Sequence, residues 1–383
     1  MIRFLTAGES HGPGLVAIVE GLPAGIPFAT DDLAAELARR RMGYGRGNRM
    51  KLEKDELEVL GGIRHGFTLG SPVAVLIRNT EWPRWSEEMS AEPGETKRAA
   101  KTPRPGHADL AGMLKYDTHD ARDILERSSA RETAARTIVG YLAKQLLAVV
   151  GVEIVSHVIA IGPAEIPAGP PPTPDDRPAL DESPVRVFDS AGAEAMIAAI
   201  DAAKEDRDTL GGVFEVLAYG LPAGVGSHVH WDRRLDARLA EALMSIQAIK
   251  AVEVGDGLST ARARGSDAHD EIFYADGEWS RNRDRAGGTE GGMSTGQPVR
   301  VRASMKPIAT LMRPLASVDV DSKEADVAFR ERSDTCAVPA AAVVGEQMVA
   351  YVLADELQRM FGGDTVDDFM QAFDSYRTRL SEF

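Results

Sequence analysis

Two histidines lie in short glycine-containing turns, where proton-transfer chemistry is possible. His11 belongs to the GESHG segment at residues 8–12, which follows a strand-like run from Ile2 to Thr6, and His107 belongs to the RPGHAD segment at 104–109. Histidine changes charge near neutral pH and can act as a general acid or base. The glycines beside His11 would leave its ring with little steric cover. Either histidine taken alone could instead be a turn residue with a structural hydrogen bond.

An arginine-rich loop, RRRMGYGRGNR at residues 39–49, follows a helix predicted to start near Asp31. Arginines 39–41 in the last turn of that helix would complement its dipole, which is a sufficient structural reason for them. Arg46 and Arg49 lie among alternating glycines, where the backbone can approach a ligand and guanidinium groups can pair with phosphate or carboxylate. The spacing matches neither a dinucleotide fingerprint nor a Walker A loop. The loop therefore predicts a site for a small anion.

Serines next to arginines mark the start of a helix in each half of the chain. Ser128 or Ser129 could cap a long helix that runs through Leu147, and a helix N-terminus with hydroxyls and flanking arginines suits phosphate. The RSD segment at 332–334 occupies the corresponding place in the second half. An ordinary capped helix is the alternative. If the halves are related by a pseudo-two-fold axis, both starts would face one shared site.

The chain repeats itself in three places, in the same order. Residues 15–25 and 214–224 share a GLPAG turn after an apolar run, and residues 61–75 and 287–301 share spaced glycines before Pro-Val-x-Val. The Arg-Ser pairs at 127–128 and 332–333 are the third match. Three matches in register predict duplication. Residues 245–250 (SIQAIK) would then correspond to the arginine-rich loop, and 306–310 (KPIAT) would follow the second glycine-rich strand.

The expected organisation is a single domain over residues 1–383 with internal repeats at about 1–150 and 205–360. A proline-rich connector at about 162–186 is predicted to be extended and unpacked. Residues 81–103 are predicted to form a surface loop, and the end of the chain from Asp364 a helical tail.

Composition excludes several classes of function. A formal net charge of −15 argues against nucleic-acid binding. We find no apolar run long enough to span a membrane and no signal-peptide pattern at the N-terminus. The lone cysteine, Cys336, excludes an intrachain disulfide framework and a cysteine-based zinc site, and fits a reducing, cytoplasmic location. His228 and His230 could share a strand face, but no acidic partner stands out, so no metal site is predicted.

These segments together resemble the chorismate synthase family. The segments that carry the resemblance span nearly the whole chain in order: GESHG (8–12), RRRMGYGRGNR (39–49), RPGHAD (104–109), RSSARETAAR (127–136), SIQAIKAVEVGDG (245–257), GGMSTGQP (291–298), KPIAT (306–310) and RSDTCAVPAA (332–341). The resemblance implies an α+β fold, a β-α-β sandwich of two duplicated, pseudo-symmetric halves around helices, assembled as a homotetramer.

The resemblance also implies a reaction: the 1,4-anti elimination of phosphate and a ring hydrogen from 5-enolpyruvylshikimate 3-phosphate, which gives chorismate for aromatic amino acid biosynthesis. The cofactor would be FMN in its reduced form. Some members of the family reduce their own flavin with NADPH, but no Rossmann-like glycine fingerprint is present here. We therefore expect NADPH to act at most indirectly, through an external flavin reductase.

Site residues follow from the family by motif. Proton transfer falls to His11 and His107, and Asp334 would assist at the flavin N5. The residues implied in binding substrate, or NADP for some of the arginines, are Ser10, Arg40, Arg46, Arg49 and Arg131. Those implied in flavin binding are Arg127, Ser128, Ser129, Gln247, Ala248, Gly291, Lys306, Pro307, Ile308, Ala309, Thr310 and Arg332.

Two other functions compete with this one. A non-catalytic flavin-binding protein would need the flavin residues alone and would leave both histidines and the arginine-rich loop unexplained. An RNA-binding module could use arginines 39–49, but the negative charge and the lack of interleaved aromatic residues oppose it.

Overall fold

The computed structural model describes residues 1–47, 56–331 and 333–383. The strands are β1 Arg3–Ala7, β2 Gly14–Glu20, β3 Glu56–Gly61, β4 Ile63–Arg64, β5 Phe67–Thr68, β6 Val73–Arg78, β7 Glu153–Ile161, β8 Ala164–Glu165, β9 Gly212–Tyr219, β10 Ile249–Val254, β11 Ile272–Ala275, β12 Glu278–Arg281, β13 Thr289–Glu290, β14 Met293–Ser294, β15 Val299–Met305, β16 Ala316–Val318 and β17 Ala325–Val327.

The α-helices are α1 Thr30–Arg41, α2 Asp109–Tyr116, α3 Arg122–Ser128, α4 Thr133–Val149, α5 Arg177–Glu182, α6 Ser190–Glu205, α7 Leu235–Met244, α8 Gly257–Thr260, α9 Gly265–Ala268, α10 Val338–Phe361 and α11 Val366–Ser381. Short 3-10 turns cover Trp82–Arg84, Ala130–Glu132, Pro174–Asp176 and Trp231–Arg233. The mixture of helices and strands makes the fold α+β.

Two antiparallel sheets carry corresponding strands in the same order. The first sheet runs β1-β2-β6-β3, and the second runs β7-β9-β15-β10 with β8 at its edge. In each sheet the second strand leads through a GLPAG turn to a helix, α1 or α7. Gly21 and Gly220 open these turns at φ of +84° and +80°, a conformation that disfavours side chains. The repeated segments thus form corresponding strands and turns.

The long helices α4 and α10 pack against each other between the sheets. Helix α4 contacts the first sheet at β2, and α10 contacts the second at β7 and β9. A glycine in each helix permits close packing. A Cβ on Gly140 of α4 would lie 2.2 Å from the side chain of Gln347 on α10, and a Cβ on Gly345 of α10 would lie 2.5 Å from the ring of Phe214 on β9. Helices and both sheets therefore share one hydrophobic core.

By length and composition alone, helix α10 is long and apolar enough to cross a membrane, and it is the only such helix among the described residues. Of its most apolar stretch, 94% is buried inside the protein. Its apolar character is accounted for by its place between α4 and the second sheet.

The connector prediction is wrong for part of residues 162–186. Helix α5 forms there, and its Leu180 is fully buried against Val155 and Leu217 of the second sheet. Pro178 lies in the first turn of this helix, where proline is tolerated, so the proline-rich composition of the whole stretch concealed a short packed element. The helical tail from Asp364 is confirmed as α11, which buries Phe369 and Phe373 and leaves Met370 at the surface.

Candidate active site

A cavity of about 700 Å3 opens where corresponding segments of the two halves meet. It is lined by Ser10, His11, Arg40, Arg46, Gly47, Trp85, Arg104, Gly106, His107, Ala108, Leu125, Ser128, Ser129, Ala130, Arg131, Thr133, Ile246, Gln247, Ala248, Met305, Lys306, Ile308, Ala309, Thr310, Met312, Glu331, Ser333, Asp334, Ala337, Ala340, Ala341 and Val344. The last turn of α1, the start of α4 and the start of α10 all reach it, as do the segments after α7 and β15. Ser128, Ser129 and Ser333 thus face one site. The predicted cap of the long helix by Ser128 or Ser129 is wrong, because Ser128 is the last residue of α3 and Ser129 caps the 3-10 turn that precedes α4.

His11 is buried and held on two sides. Its Nδ1 lies 2.9 Å from Oε1 of Glu126, and its backbone N–H donates to Oε2 at 2.8 Å. The indole of Trp85 covers the imidazole, with ring centroids 4.0 Å apart. The prediction of little steric cover is therefore wrong: the glycines shape the turn, but a distant loop supplies the cover.

Glu126 lies behind His11 and is ionised. Burial would raise the pKa of its carboxyl group, but hydrogen bonds and charge from His11 and the charge of Arg122 outweigh burial and hold this pKa below its ordinary value. Arg122 donates to Oε1 of Glu126 at 2.9 Å. Glu126 is therefore an anionic acceptor beside a histidine that lines the cavity.

His107 also has a carboxylate partner. Its Nδ1 contacts Asp109, which is fully buried at the start of α2 and accepts from Nε of Arg104 at 2.8 Å. Burial opposes ionisation of Asp109, but hydrogen bonds from His107 and Arg104 lower its pKa to about 2. Nη1 of Arg104 donates to Thr310 at 2.8 Å, so this turn is tied to the segment after β15.

Asp334 ties the arginine-rich loop to the start of α10. Its Oδ2 pairs with Nη1 of Arg46 at 2.9 Å, and its Oδ1 accepts from the backbone N–H of Gly47 at 2.7 Å. The backbone of Gly45 passes close to Cys336, where a Cβ would be only 3.2 Å from the cysteine Cβ. The glycine therefore permits the close approach that brings Arg46 to the cavity.

The segment after α7 adds a strained residue and an unused acceptor. Ala248 has φ of +69°, a conformation that costs a non-glycine residue free energy and recurs at ligand sites. Gln247 donates from Nε2 to Glu132 at 3.1 Å, while its buried Oε1 has no hydrogen-bond partner among the described residues. An N–H donor on a ligand would satisfy that oxygen.

Lys306, which follows β15, is partly buried, and both burial and the nearby charge of Lys250 lower the pKa of its ammonium group. An anion between or beside two neighbouring lysines offsets the repulsion between their charges. The cavity therefore offers positive charge at Lys306 as well as at Arg40 and Arg46.

Several expected site residues lie elsewhere. Arg127 turns away from the cavity, and its guanidinium donates to the backbone oxygens of Thr6 (2.8 Å) and Gly8 (3.2 Å) at the rim of a separate pocket. Gly291, in the β13–β14 turn, and Pro307 do not line the cavity either. Hydrogen bonds to Thr6 and Gly8 hold Arg127, and Gly291 lies in a hairpin, so none of the three lines this cavity within one chain. Their contacts with flavin stay predictions. Arg49 and Arg332 fall outside the described residues.

Sequence reasoning missed Trp85, Glu126 and Asp109. Trp85 lies in the stretch predicted as a surface loop, and no local pattern links it to His11. Asp109 ends the RPGHAD segment and Glu126 directly precedes the RSSARETAAR segment, and their proximity to a histidine or to arginines in the sequence was the available signal. Of the described residues, no group of three or more His, Cys, Asp or Glu side chains is arranged to hold a metal ion.

Comparison with known proteins gives a consistent result. A family model described as chorismate synthase matches residues 2–358. The chain is 60% identical over 389 residues to a chorismate synthase of Acidothermus cellulolyticus, covering 99% of each, and 57% identical over 390 residues to that of Leifsonia xyli, covering 100% of this chain and 97% of the relative. A solved structure described as a crystal structure of chorismate synthase superimposes with a TM-score of 0.81 at 41% identity, covering 100% of this chain and 99% of that one. The chain belongs to the chorismate synthase family.

Proposed function

We propose that this protein is a lyase that catalyses the 1,4-anti elimination of phosphate from 5-enolpyruvylshikimate 3-phosphate to give chorismate, with reduced FMN as cofactor. The observation that carries the proposal is a single cavity in which two carboxylate-supported histidines, His11 and His107, share a strongly basic lining. The non-catalytic flavin-binding alternative has no support, because the relatives named above are enzymes and because it leaves both histidines without a role.

The charge of the lining suits an anionic phosphate ester. Among residues 1–47, 56–331 and 333–383, five cationic side chains line the cavity, whereas the lining carboxylates are Glu331 and Asp334. The five are Arg40, Arg46, Arg104, Arg131 and Lys306. In a chain with a net charge of −15, this local excess of positive charge would draw an anion in and stabilise charge on the departing phosphate.

The lining also fits a flavin. A volume of about 700 Å3 is within the range of small-molecule sites. The lining includes small apolar side chains, among them Ala309, Ala340 and Ala341, against which an aromatic ring system could lie. The orphaned Oε1 of Gln247 and the lysine at 306 supply an acceptor and a cation. When bound, reduced FMN would lend electron density as the phosphate departs.

The residue roles follow from this arrangement. His11 and His107 would transfer protons, with Ser10 and Ser129, whose hydroxyls are 3.3 Å apart, supporting that network. Asp334 would act near the flavin. The residues proposed to hold substrate are Arg40, Arg46, Arg49 and Arg131, and those proposed to hold the flavin are Ser128, Ser129, Gln247, Ala248, Lys306, Ile308, Ala309, Thr310 and Arg332.

The two sheets have matching strand orders, which supports descent from a duplicated unit. We propose that the two copies, at about 1–150 and 205–360, form a pseudo-symmetric sandwich within one domain over 1–383. We further propose a cytoplasmic homotetramer that receives reduced FMN from an external reductase.

The test is anaerobic turnover. Pure protein with dithionite-reduced FMN and 5-enolpyruvylshikimate 3-phosphate is expected to release chorismate and phosphate in equal amounts, followed by absorbance and a phosphate assay. Folded protein that binds flavin and forms no chorismate would overturn the proposal. A parallel aerobic reaction with NADPH and oxidised FMN is expected to give no sustained turnover, and turnover there would contradict the external source of reduced flavin.

The lowered pKa of Lys306 predicts how anion binding depends on pH. Affinity for FMN is expected to fall as pH rises through this depressed value, because neutral lysine no longer attracts the ligand's phosphate. Replacing Lys306 by methionine should weaken binding about 10- to 100-fold, as expected for a lost charge-assisted hydrogen bond, and should remove that pH dependence. Fluorescence titration of FMN measures both effects.

Lys250→Met is the matched variant. Because the charge of Lys250 helps to lower the pKa of Lys306, its removal should move the loss of affinity to higher pH. A wild-type affinity that is flat with pH while Lys306→Met binds normally would contradict this prediction.

A further inference from the structure

Within the part of the chain that the structure describes, the ring of His11 has a hydrogen-bond partner at one nitrogen only, Nδ1. Nδ1 lies 2.9 and 3.1 Å from the two oxygens of Glu126, which does not line the cavity, whereas His11 itself does. The ring nitrogen left for a ligand in the cavity is therefore Nε2. The tautomer of a histidine is set by the hydrogen bond that its other nitrogen makes.

An ionised carboxylate accepts hydrogen bonds and donates none. Glu126 is held ionised, so its contact with His11 requires a proton on Nδ1. We propose that Glu126 is a positioning residue that fixes His11 in the Nδ1–H form, so that Nε2 faces the cavity as the proton-transferring atom. This inference rests on the proposed function and assigns a role to a residue that does not itself touch the ligand.

Arg122 and Trp85 complete the support. Arg122 donates to Glu126 at 2.9 Å and to Glu331 at 3.1 Å, and its guanidinium lies 5.0 Å from the Trp85 ring centroid. Trp85 in turn covers the face of His11. Glu126 is thus also held by a cation, which donates to the oxygen nearest Nδ1 of His11. The imidazole is held in its plane by Glu126 and from its face by Trp85, which is the arrangement needed for a precisely oriented catalytic group.

His157 and Glu215 form a matched pair remote from the cavity. Nε2 of His157 lies 3.0 Å from Glu215, both side chains are buried, and Arg302 donates to the carboxylate at 2.7 Å. This pair lies on β7 and β9, and neither residue lines the cavity. Replacing Glu215 by glutamine therefore removes a buried carboxylate paired with a histidine, as the change at Glu126 does, but leaves the cavity lining unchanged.

The first measurement is kinetic, under the anaerobic conditions above. Glu126→Gln removes the charge and leaves one acceptor oxygen beside an N–H₂ donor, which must face Nδ1, Arg122 or the backbone N–H of His11, so the tautomer is no longer fixed by a group that only accepts. We expect kcat to fall about 100- to 10,000-fold, the range seen when the polar support of an active-site histidine is changed, with KM nearly unchanged. Glu215→Gln should keep the wild-type kcat. Wild-type kcat in Glu126→Gln, or an equal loss in Glu215→Gln, would overturn the proposal.

The second measurement does not depend on turnover. Solid-state NMR of the full-length protein labelled with 15N-histidine, at a pH where imidazole is neutral, reports which ring nitrogen carries the proton, and the His11 signal is identified by its loss in His11→Asn. The expected result is Nδ1–H in the wild type and a shift toward Nε2–H in Glu126→Gln. An Nε2–H wild type overturns the proposal, even if the chain folds and turns over. If the wild-type protein shows no turnover, the proposed reaction is rejected. The tautomer of His11 would still test the role of Glu126, because that measurement needs no turnover.

Discussion

Replacing His107 by alanine is expected to slow chorismate formation by about 100- to 10,000-fold, the usual contribution of a positioned general acid or base. His107 lines the cavity, and its ring is held by the buried carboxylate of Asp109. In the variant, Asp109 keeps its hydrogen bonds from Nε of Arg104 at 2.8 Å and from the Arg104 backbone at 3.1 Å, so the turn should stay folded. Anaerobic turnover with reduced FMN measures the loss, and circular dichroism checks the fold.

The matched control is His119→Ala. His119 also pairs with a carboxylate, Asp321, but its side chain is 66% exposed and lies outside the cavity. It should turn over like the wild type. A His107→Ala variant with wild-type kcat, or a His119→Ala variant with an equal loss, would remove His107 from the proton-transfer role.

The carboxylate partner of His107 stays ionised at the assay pH. The pKa of Asp109 is depressed from 3.8 to about 2, so its contribution to stability is complete above the unfolded value and is lost only as pH falls through about 2. A loss of rate near neutral pH in His107→Ala therefore reports on the missing imidazole and not on protonation of its partner.

Local signals in the sequence were sufficient for the parts of the site that lie at turns and helix starts. Glycine spacing identified the turns that carry His11 and His107, and the matching Arg-Ser segments predicted that two helix starts would face one cavity. Trp85 could not be found in this way, because its contact with His11 joins residues far apart in the chain and depends on how a proline-containing loop folds back. The motif of Arg127 could not show that its guanidinium donates to the backbone of Thr6 and Gly8, because those acceptors lie far from it in the chain.

The fold could be predicted where the periodicity was strong. The apolar strands, the helices after each GLPAG turn and the C-terminal helix all form as expected. Helix α5 was hidden by the prolines around it. The apolar sequence of α10 also contains polar residues. Periodicity alone does not predict their role, because their partners come from α1, α4 and the second sheet.

Glu346, at the centre of α10, is expected to be the most costly single buried charge to remove. It is fully buried and accepts from Arg39 at 2.8 and 3.0 Å, Lys144 at 2.8 Å, Arg186 at 3.2 Å and Ser156 at 2.7 Å. Glu346→Gln would leave three buried cations facing an amide that has lost the charge they share. Breaking a buried ion pair in this way costs about 3–5 kcal/mol of unfolding free energy, measured by denaturant titration.

Glu58→Gln is the matched control, because Glu58 pairs with Arg78 at the surface, with both side chains about half exposed. Its cost should be within about 0–1 kcal/mol. An equal effect of the two substitutions would show that the ion cluster around Glu346 adds no stability beyond an ordinary surface pair.

The pH dependence separates the charge of Glu346 from its packing. Burial raises the pKa of this carboxyl group, but Arg39, Lys144 and Arg186 together hold it well below its ordinary value of 4.5. Its stabilisation is therefore complete above 4.5 and is lost as pH falls through the depressed folded-state value, so the difference between wild type and Glu346→Gln should shrink under acid. A difference that stays constant as the pH is lowered would mean that packing, not charge, is the cause.

The same substitution should also raise KM for the phosphate ester, because Arg39 precedes Arg40, whose side chain lines the cavity. Such a change would link this buried cluster to the anion site.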